Sequence, residues 1–213
     1  ELRVALAAMG LTEVITYSFV APRWMAFYPG EALELLNPIS EEMKIMRTSI
    51  VPGLVAVVER NRKLQARDIS LFEIGKTFHT GPGGKLPDEV RRLGIALSGM
   101  RFDPHWSEKG RPVDFYDIKG IAESLLGPME LKPSNNGHLK PGCQADIVLD
   151  GSIIGTVGSV HPDILGLMDT DDEILVLEVL LEPVLVRRWE GLREIPKFPS
   201  TWRDLSLVVD ENV

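Results

Sequence analysis

The chain has 213 residues, 44% of them hydrophobic and 25% charged, and a formal net charge of −8. A chain of this length buries a sizeable core without metals or disulfides, and its single cysteine, Cys143, excludes an intrachain disulfide or a multi-cysteine zinc site. No apolar run of about 18 residues marks a membrane-spanning helix, and the acidic balance argues against a protein whose whole surface grips a phosphate backbone.

The start, Glu1-Leu2-Arg3-Val4-Ala5-Leu6, lacks an initiator Met, a basic n-region and an apolar h-region, so it does not read as a signal peptide. Leu2 to Met9 reads as a helix end stopped by Gly10, and Val14 to Phe19 as a β-rich run. Pro22 opens a short helix, because the missing N–H of proline costs nothing in a first turn. Ala32 to Leu36 reads as a strand ending at Asn37-Pro38.

The clearest helix runs from Val51 to Leu64. Val51, Leu54, Val55 and Val58 share one face, Thr48 or Ser49 supplies a cap, and Pro52 sits in the first turn. Ile69 to Ile74 is a strand candidate, Gly81-Pro82-Gly83-Gly84 a turn, and Arg92 to Ser98 a strand. Phe115 to Leu126 forms a second amphipathic helix, with Asp114 as its N-cap and Gly127-Pro128 as its stop. Ala145 to Leu149 and Ser152 to Val157 flank Asp150-Gly151, a hairpin signal of the type I′ kind. Ile174 to Leu180 is a further strand, followed by a short helix near Pro183 to Trp189. Arg193 to Ser200 reads as a linker, and Leu205 to Val209 as a strand that starts as the chain stops, which points to truncation. The fold class is α+β, an antiparallel sheet flanked by helices.

Familiar chemical patterns fail on inspection. A calcium loop starting at Asp169 needs Gly and Glu where Ile174 and Leu180 stand, so Asp169 to Glu173 is a solvated acidic turn. Gly84-Lys85 is followed by Leu86 where a P-loop needs Ser or Thr. His79, His105, His138 and His161 lack metal-ligand spacing, and His161 before Pro162 suits a cap at a strand-to-helix junction. No G-x-S-x-G elbow is present, and four scattered tryptophans in an acidic chain suit core or interface better than base stacking. Catalytic, cofactor and metal residues are therefore read as none.

Longer motifs carry a resemblance. Gly10-Leu11-Thr12-Glu13-Val14-Ile15-Thr16-Tyr17-Ser18-Phe19, Leu36-Asn37-Pro38-Ile39-Ser40-Glu41-Glu42, Met46-Arg47-Thr48-Ser49-Ile50-Val51-Pro52-Gly53-Leu54 and Leu71-Phe72-Glu73-Ile74-Gly75-Lys76-Thr77-Phe78 follow one another in order. Lys119-Gly120 through Leu125-Leu126, the Asp150-Gly151 hairpin, His161-Pro162 and Pro196-Lys197-Phe198-Pro199 come after them. Together they resemble the beta subunit of bacterial phenylalanyl-tRNA synthetase over essentially the whole chain. One departure is Lys140-Pro141-Gly142-Cys143-Gln144-Ala145, where the family pattern is H-P-G-R-[ST]-A.

The resemblance implies a class II synthetase-like core over residues 1–192. It also implies a linker and the truncated start of a ferredoxin-like anticodon-binding domain over residues 193–213. It implies a non-catalytic part of a cytoplasmic (αβ)2 enzyme with two beta subunits. The alpha subunit uses ATP and Mg2+ to activate phenylalanine and charge tRNA(Phe), while this part binds no cofactor. Glu73 takes the place of the strand Glu in the ATP-binding motif, with Leu71 where a phosphate-pairing Arg belongs. Leu36 to Leu64 is the expected interface with alpha, with Asn37, Pro38, Arg47, Thr48, Pro52 and Leu54 as its candidates; a buried Arg47 requires a paired acceptor. Two alternatives are a stand-alone class II-like ATP-dependent ligase and a tRNA-binding module.

Overall fold

A computed structural model describes residues 1–28, 32–81, 86–102, 106–107, 109–168, 170, 172–186, 201–206 and 208. Its centre is a seven-stranded sheet in the order β1-β4-β5-β9-β8-β7-β6. The strands are β1 (Thr12–Glu13), β4 (Ile69–His79), β5 (Asp88–Ser98), β6 (Glu130–Pro133), β7 (Leu139–Leu149), β8 (Ser152–Val160) and β9 (Ile174–Leu180). All neighbouring pairs are antiparallel except β1 with β4, so the sheet is mixed, with one parallel pair at its edge. A small ribbon, β2 (Phe19–Val20) with β3 (Ile45–Met46), stands apart from it.

Helices cover both faces. On one side α1 (Leu2–Ala8), α3 (Phe115–Leu126) and α5 (Leu181–Leu185) pack with Phe72, Ile95, Ile147, Leu175 and Leu177. On the other side α2 (Val51–Lys63) and α4 (Pro162–Leu167) pack with Ile69, Leu71, Ala96, Ile174 and Val176. Successive strand residues point to opposite faces. A central strand covered on both sides therefore reads as a continuous apolar run, as β9 does in Ile-Leu-Val-Leu-Glu-Val-Leu.

The second amphipathic helix matches its sequence bounds, and the hairpin turns where expected, although its strands reach back to Leu139 and on to Val160. α3 begins at a capping box in which the Asp114 side chain accepts from Tyr116 and Asp117 N–H, and the Asp117 side chain accepts from Asp114 N–H. The β7–β8 hairpin turns at Asp150 and Gly151, both at positive φ (50° and 78°), as a type I′ turn requires.

Other expectations shift. The run from Val14 to Phe19 is not one strand: Thr12–Glu13 pairs with β4 and Phe19–Val20 with β3. Between them the chain changes partners, held by Val14 N–H to Phe72 O at 2.9 Å and Arg47 N–H to Ser18 O at 2.9 Å. Ala32 to Leu36 contributes only a bridge, Glu34 with Ile45. β4 continues past Ile74 to His79 because Gly75 to His79 stay paired with Asp88 to Arg92. The last short helix starts earlier, at Leu181, and ends at Leu185. Residues 205, 206 and 208 form no strand, and residues 82–85, 187–200, 207 and 209 lie outside the described part.

Candidate functional site

Three polar side chains meet at the junction of β3, α2 and β4. Arg47, at the end of the ribbon, is 3% exposed, as is Glu73 on β4. Arg47 Nη1 donates to Glu73 Oε1 at 2.7 Å and to Thr16 Oγ1 at 2.9 Å, and Nε donates to the Lys76 carbonyl at 2.8 Å. Thr16 Oγ1 donates to the other carboxylate oxygen, Glu73 Oε2, at 2.7 Å. Gly75 makes room for the guanidinium, since a Cβ there would lie 2.3 Å from Arg47 Nη2. The acceptor that a buried Arg47 requires is thus supplied inside the chain.

A second carboxylate lies two strands further on, across β5. Glu178 on β9 accepts from Ile50 N–H at 2.6 Å and from the Ser49 hydroxyl at 3.1 Å, and Arg92 Nη1 approaches its other oxygen at 3.5 Å. Burial pushes the Glu178 carboxyl above the usual carboxylate range, against the pull of Arg92 and the donors of the α2 terminus. Ser49 Oγ also accepts from Val51 N–H at 3.1 Å, but the N-cap position of α2 is Ile50, which makes no side-chain cap bond, so neither Thr48 nor Ser49 is the N-cap. Arg92 Nε donates to Thr77 Oγ1 at 3.2 Å, and burial followed by the charge of Arg92 lowers the His79 pKa.

Between these polar groups the sheet face is filled. Ile50, Val51, Leu54, Val55 and Val58 lie directly against Ile69, Leu71, Ala96 and Val176. At Gly94 a Cβ would come within 2.9 Å of Leu54 Cδ1. Leu71 belongs to this packing, and Glu73 is taken up by Arg47 and Thr16. The two residues therefore sit in closed interior, and their identities follow from packing; the apolar side chain at 71 is what α2 demands.

The six interface candidates divide. Arg47, Pro52 and Leu54 are buried within the chain, Thr48 and Pro38 are half-buried, and Asn37 is exposed. Flanking Asn37-Pro38, Leu36 and Ile39 are 97% and 89% exposed. Sequence reasoning missed the more telling pair. Along residues 14–18 Val14, Thr16 and Ser18 turn inward while Ile15 and Tyr17 face out, 91% and 70% exposed. The alternation is visible in the sequence, but its polar phase faces in, because Arg47 and Glu73 need the Thr16 hydroxyl. Ile15 and Tyr17 border a groove of 340 Å³ whose other walls include Trp24, Pro52, Val57 and Arg60.

The histidines have structural surroundings. His161 Nδ1 accepts from Asp163 N–H at 3.2 Å and caps α4. His138 stacks on Tyr28 with ring centroids 4.6 Å apart, and burial pushes its pKa down to about 4. Trp24 is buried, Trp106 and Trp202 are exposed, and His105 and Trp189 lie outside the described residues.

This arrangement, a mixed sheet with one parallel edge pair and helices on both faces, is that of the class II tRNA synthetases. Two structures of pyrrolysyl-tRNA synthetase from Desulfitobacterium hafniense superpose with TM-scores of 0.62 and 0.63, over 86% of this chain and 65% of theirs, at 18% identity. At that identity the likeness defines the fold alone. The family model for the phenylalanyl tRNA synthetase beta chain CLM domain matches residues 1–181. Phenylalanine–tRNA ligase beta subunits from Mannheimia succiniciproducens and Yersinia pestis are 36% and 37% identical over all of this chain. The chain belongs to the phenylalanyl-tRNA synthetase beta chain family. It spans 28% of the length of these relatives. Among the described residues no helix is long and apolar enough to cross a membrane.

Proposed function

We propose that this chain is a non-catalytic core of a phenylalanine–tRNA ligase beta subunit, working in the cytoplasm as part of an (αβ)2 assembly. In this reading ATP and Mg2+ act on the alpha subunit, which activates phenylalanine and transfers it to tRNA(Phe). The present chain holds no cofactor and positions its partners. The observation that supports it best is that Leu71 packs beneath the apolar face of α2 while Glu73 is closed in by Arg47 and Thr16, so neither side chain is open to a nucleotide.

The surface suits a partner. Residues 14–18 are anchored through Val14, Thr16 and Ser18, so Ile15 and Tyr17 are presented in a fixed geometry. Pre-ordered apolar side chains lose little entropy on binding. Leu36, Asn37, Pro38 and Ile39 extend the exposed surface of the neighbouring loop. Buried Arg47, Pro52 and Leu54 support that surface from behind.

The test is sedimentation of the chain with the alpha subunit. A complex forms, and Ile15→Asp with Tyr17→Asp weakens it by at least about tenfold, because a desolvated aromatic anchor is worth about 2 kcal/mol or more. Co-sedimentation indifferent to both substitutions would remove this surface from the interface, and no complex at all would remove the scaffold reading.

A further inference from the structure

Two buried polar atoms without a hydrogen bond lie on one pair of stacked rings. Tyr28 and His138 are 6% and 8% exposed, and their rings stack with centroids 4.6 Å apart and planes inclined by 17°. Among the described residues neither Tyr28 Oη nor His138 Nδ1 has a partner. A third such atom, Arg62 Nε, belongs to a guanidinium that is already bonded to Ser98 and Asp172. A buried donor or acceptor with no partner forfeits the bond it makes to water in the unfolded chain, so folded proteins keep few of them. Here two occur side by side.

The backbone around the pair is fixed. The His138 carbonyl accepts from His161 N–H at 3.0 Å, and Leu139 N–H donates to the Asn136 carbonyl at 3.0 Å. A Cβ at Gly137 would lie 3.4 Å from the Phe27 carbonyl oxygen, so the two segments run in contact. Tyr28 follows the 3-10 turn Pro22–Ala26, and His138 directly precedes β7. Turning either ring out to solvent breaks the stack that joins these segments.

The chemistry of the two atoms narrows what can serve them. Burial holds His138 neutral, with its pKa down to about 4, so one ring nitrogen carries a proton and the other a lone pair. Burial, and then the charge of Glu178, pushes the Tyr28 phenol well above its usual range, so it keeps its proton. Both groups are neutral, and neither calls for an ion. Ser49 also faces Tyr28, but its hydroxyl donates to Glu178 and accepts from Val51 N–H, and it makes no hydrogen bond with the phenol. The pair is satisfied by a small neutral molecule that accepts from one group and donates to the other.

We propose that a single ordered water molecule bridges Tyr28 and His138 inside the protein. The Tyr28 hydroxyl donates to it and it donates to His138 Nδ1, which places the ring proton on Nε2. Water is the smallest molecule that does both, and buried waters characteristically join polar groups of this kind. The bridge ties the turn carrying Arg23 and Trp24, both walls of the 340 Å³ groove, to the start of β7.

The test is a crystal structure of the intact protein that carries this chain, at a resolution that shows ordered water. A density peak lies within about 3.2 Å of both Tyr28 Oη and His138 Nδ1. In Tyr28→Phe, which keeps the ring and its stack, the peak is lost, since a buried water needs at least two polar partners. The parent structure decides alone if the variant does not fold. The proposal is overturned if the parent shows no peak there, if the peak is bonded to only one of the two atoms, if the Tyr28 hydroxyl bonds directly to Ser49 instead, or if the peak is unchanged in Tyr28→Phe.

Discussion

At the start of α2, Arg47, Glu73 and Thr16 are closed away from water and bonded to one another; beside residues 140–143, Lys140, Glu173 and Ser159 line one cavity in which Lys140 and Glu173 are exposed. The composition of the two groups is nearly the same, a cation, a carboxylate and a hydroxyl. Their difference lies in what surrounds them. Arg47 and Glu73 lie beneath the ribbon and the first turn of α2, where an unmatched charge would cost several kcal/mol, so packing dictates a partner for each. Lys140 and Glu173 stand in water, where an absent partner costs little, so packing dictates none for them. Closed polar groups here specify architecture, and open ones do not.

Arg47→Met or Glu73→Leu alone has the largest effect, a loss of about 3–5 kcal/mol in unfolding free energy, because each strands a buried charge. The double substitution recovers most of that loss. Urea denaturation of the four proteins decides it, and losses that simply add would break the closed half of the comparison.

Acid comes next. His138 is buried neutral, so it takes up a proton on unfolding between its ordinary value of 6.5 and about 4. The unfolded state binds more protons in that window, so stability falls as pH falls through it, by about 3 kcal/mol in all at about 1.4 kcal/mol for each pH unit. Glu178 acts with the opposite sign, since its raised pKa makes the folded state the better proton acceptor just above the ordinary carboxylate range. Stability measured against pH for His138→Phe beside the parent isolates the histidine: the difference between the two curves changes between pH 6.5 and 4 and is flat above. A constant difference would show that His138 is not buried neutral.

Ser49→Ala loses the acceptor for Val51 N–H and one donor to Glu178, costing about 1 kcal/mol. Lys140→Gln and Glu173→Gln shift the urea midpoint least, within about 0.5 kcal/mol, as surface substitutions do. A larger loss at either position would mean that these charges support the fold after all.

Much of this division is legible in the sequence, and the parts that are not have physical reasons. The α3 helix carries its own period and β9 its unbroken apolar run, and Asp114, Gly127 and Asp150-Gly151 mark ends through local chemistry. The requirement that a buried Arg47 find an acceptor is also readable, but the identity of that acceptor is not. Glu73 lies 26 residues away in the chain and meets Arg47 only when β4 is laid beside the ribbon. The resemblance placed Glu73 in an ATP-binding motif, and the fold places it in the interior. Segment 14–18 has the right alternation and an unexpected phase, since the phase is set by the long-range Thr16–Glu73 bond. The edge strand β6 ends in Pro133 and has little apolar content, so nothing local announces it. The bulge at 140–143 is a relation between two strands, and neither strand shows it alone.

The most direct test of the central claim is phenylalanine-dependent pyrophosphate exchange with ATP and Mg2+, measured on this chain after circular dichroism has shown it folded. With Leu71 packed under α2 and Glu73 held by Arg47 and Thr16, exchange stays at the level without protein, and adding the alpha subunit brings it up. Exchange above that level by the folded chain alone would contradict the account.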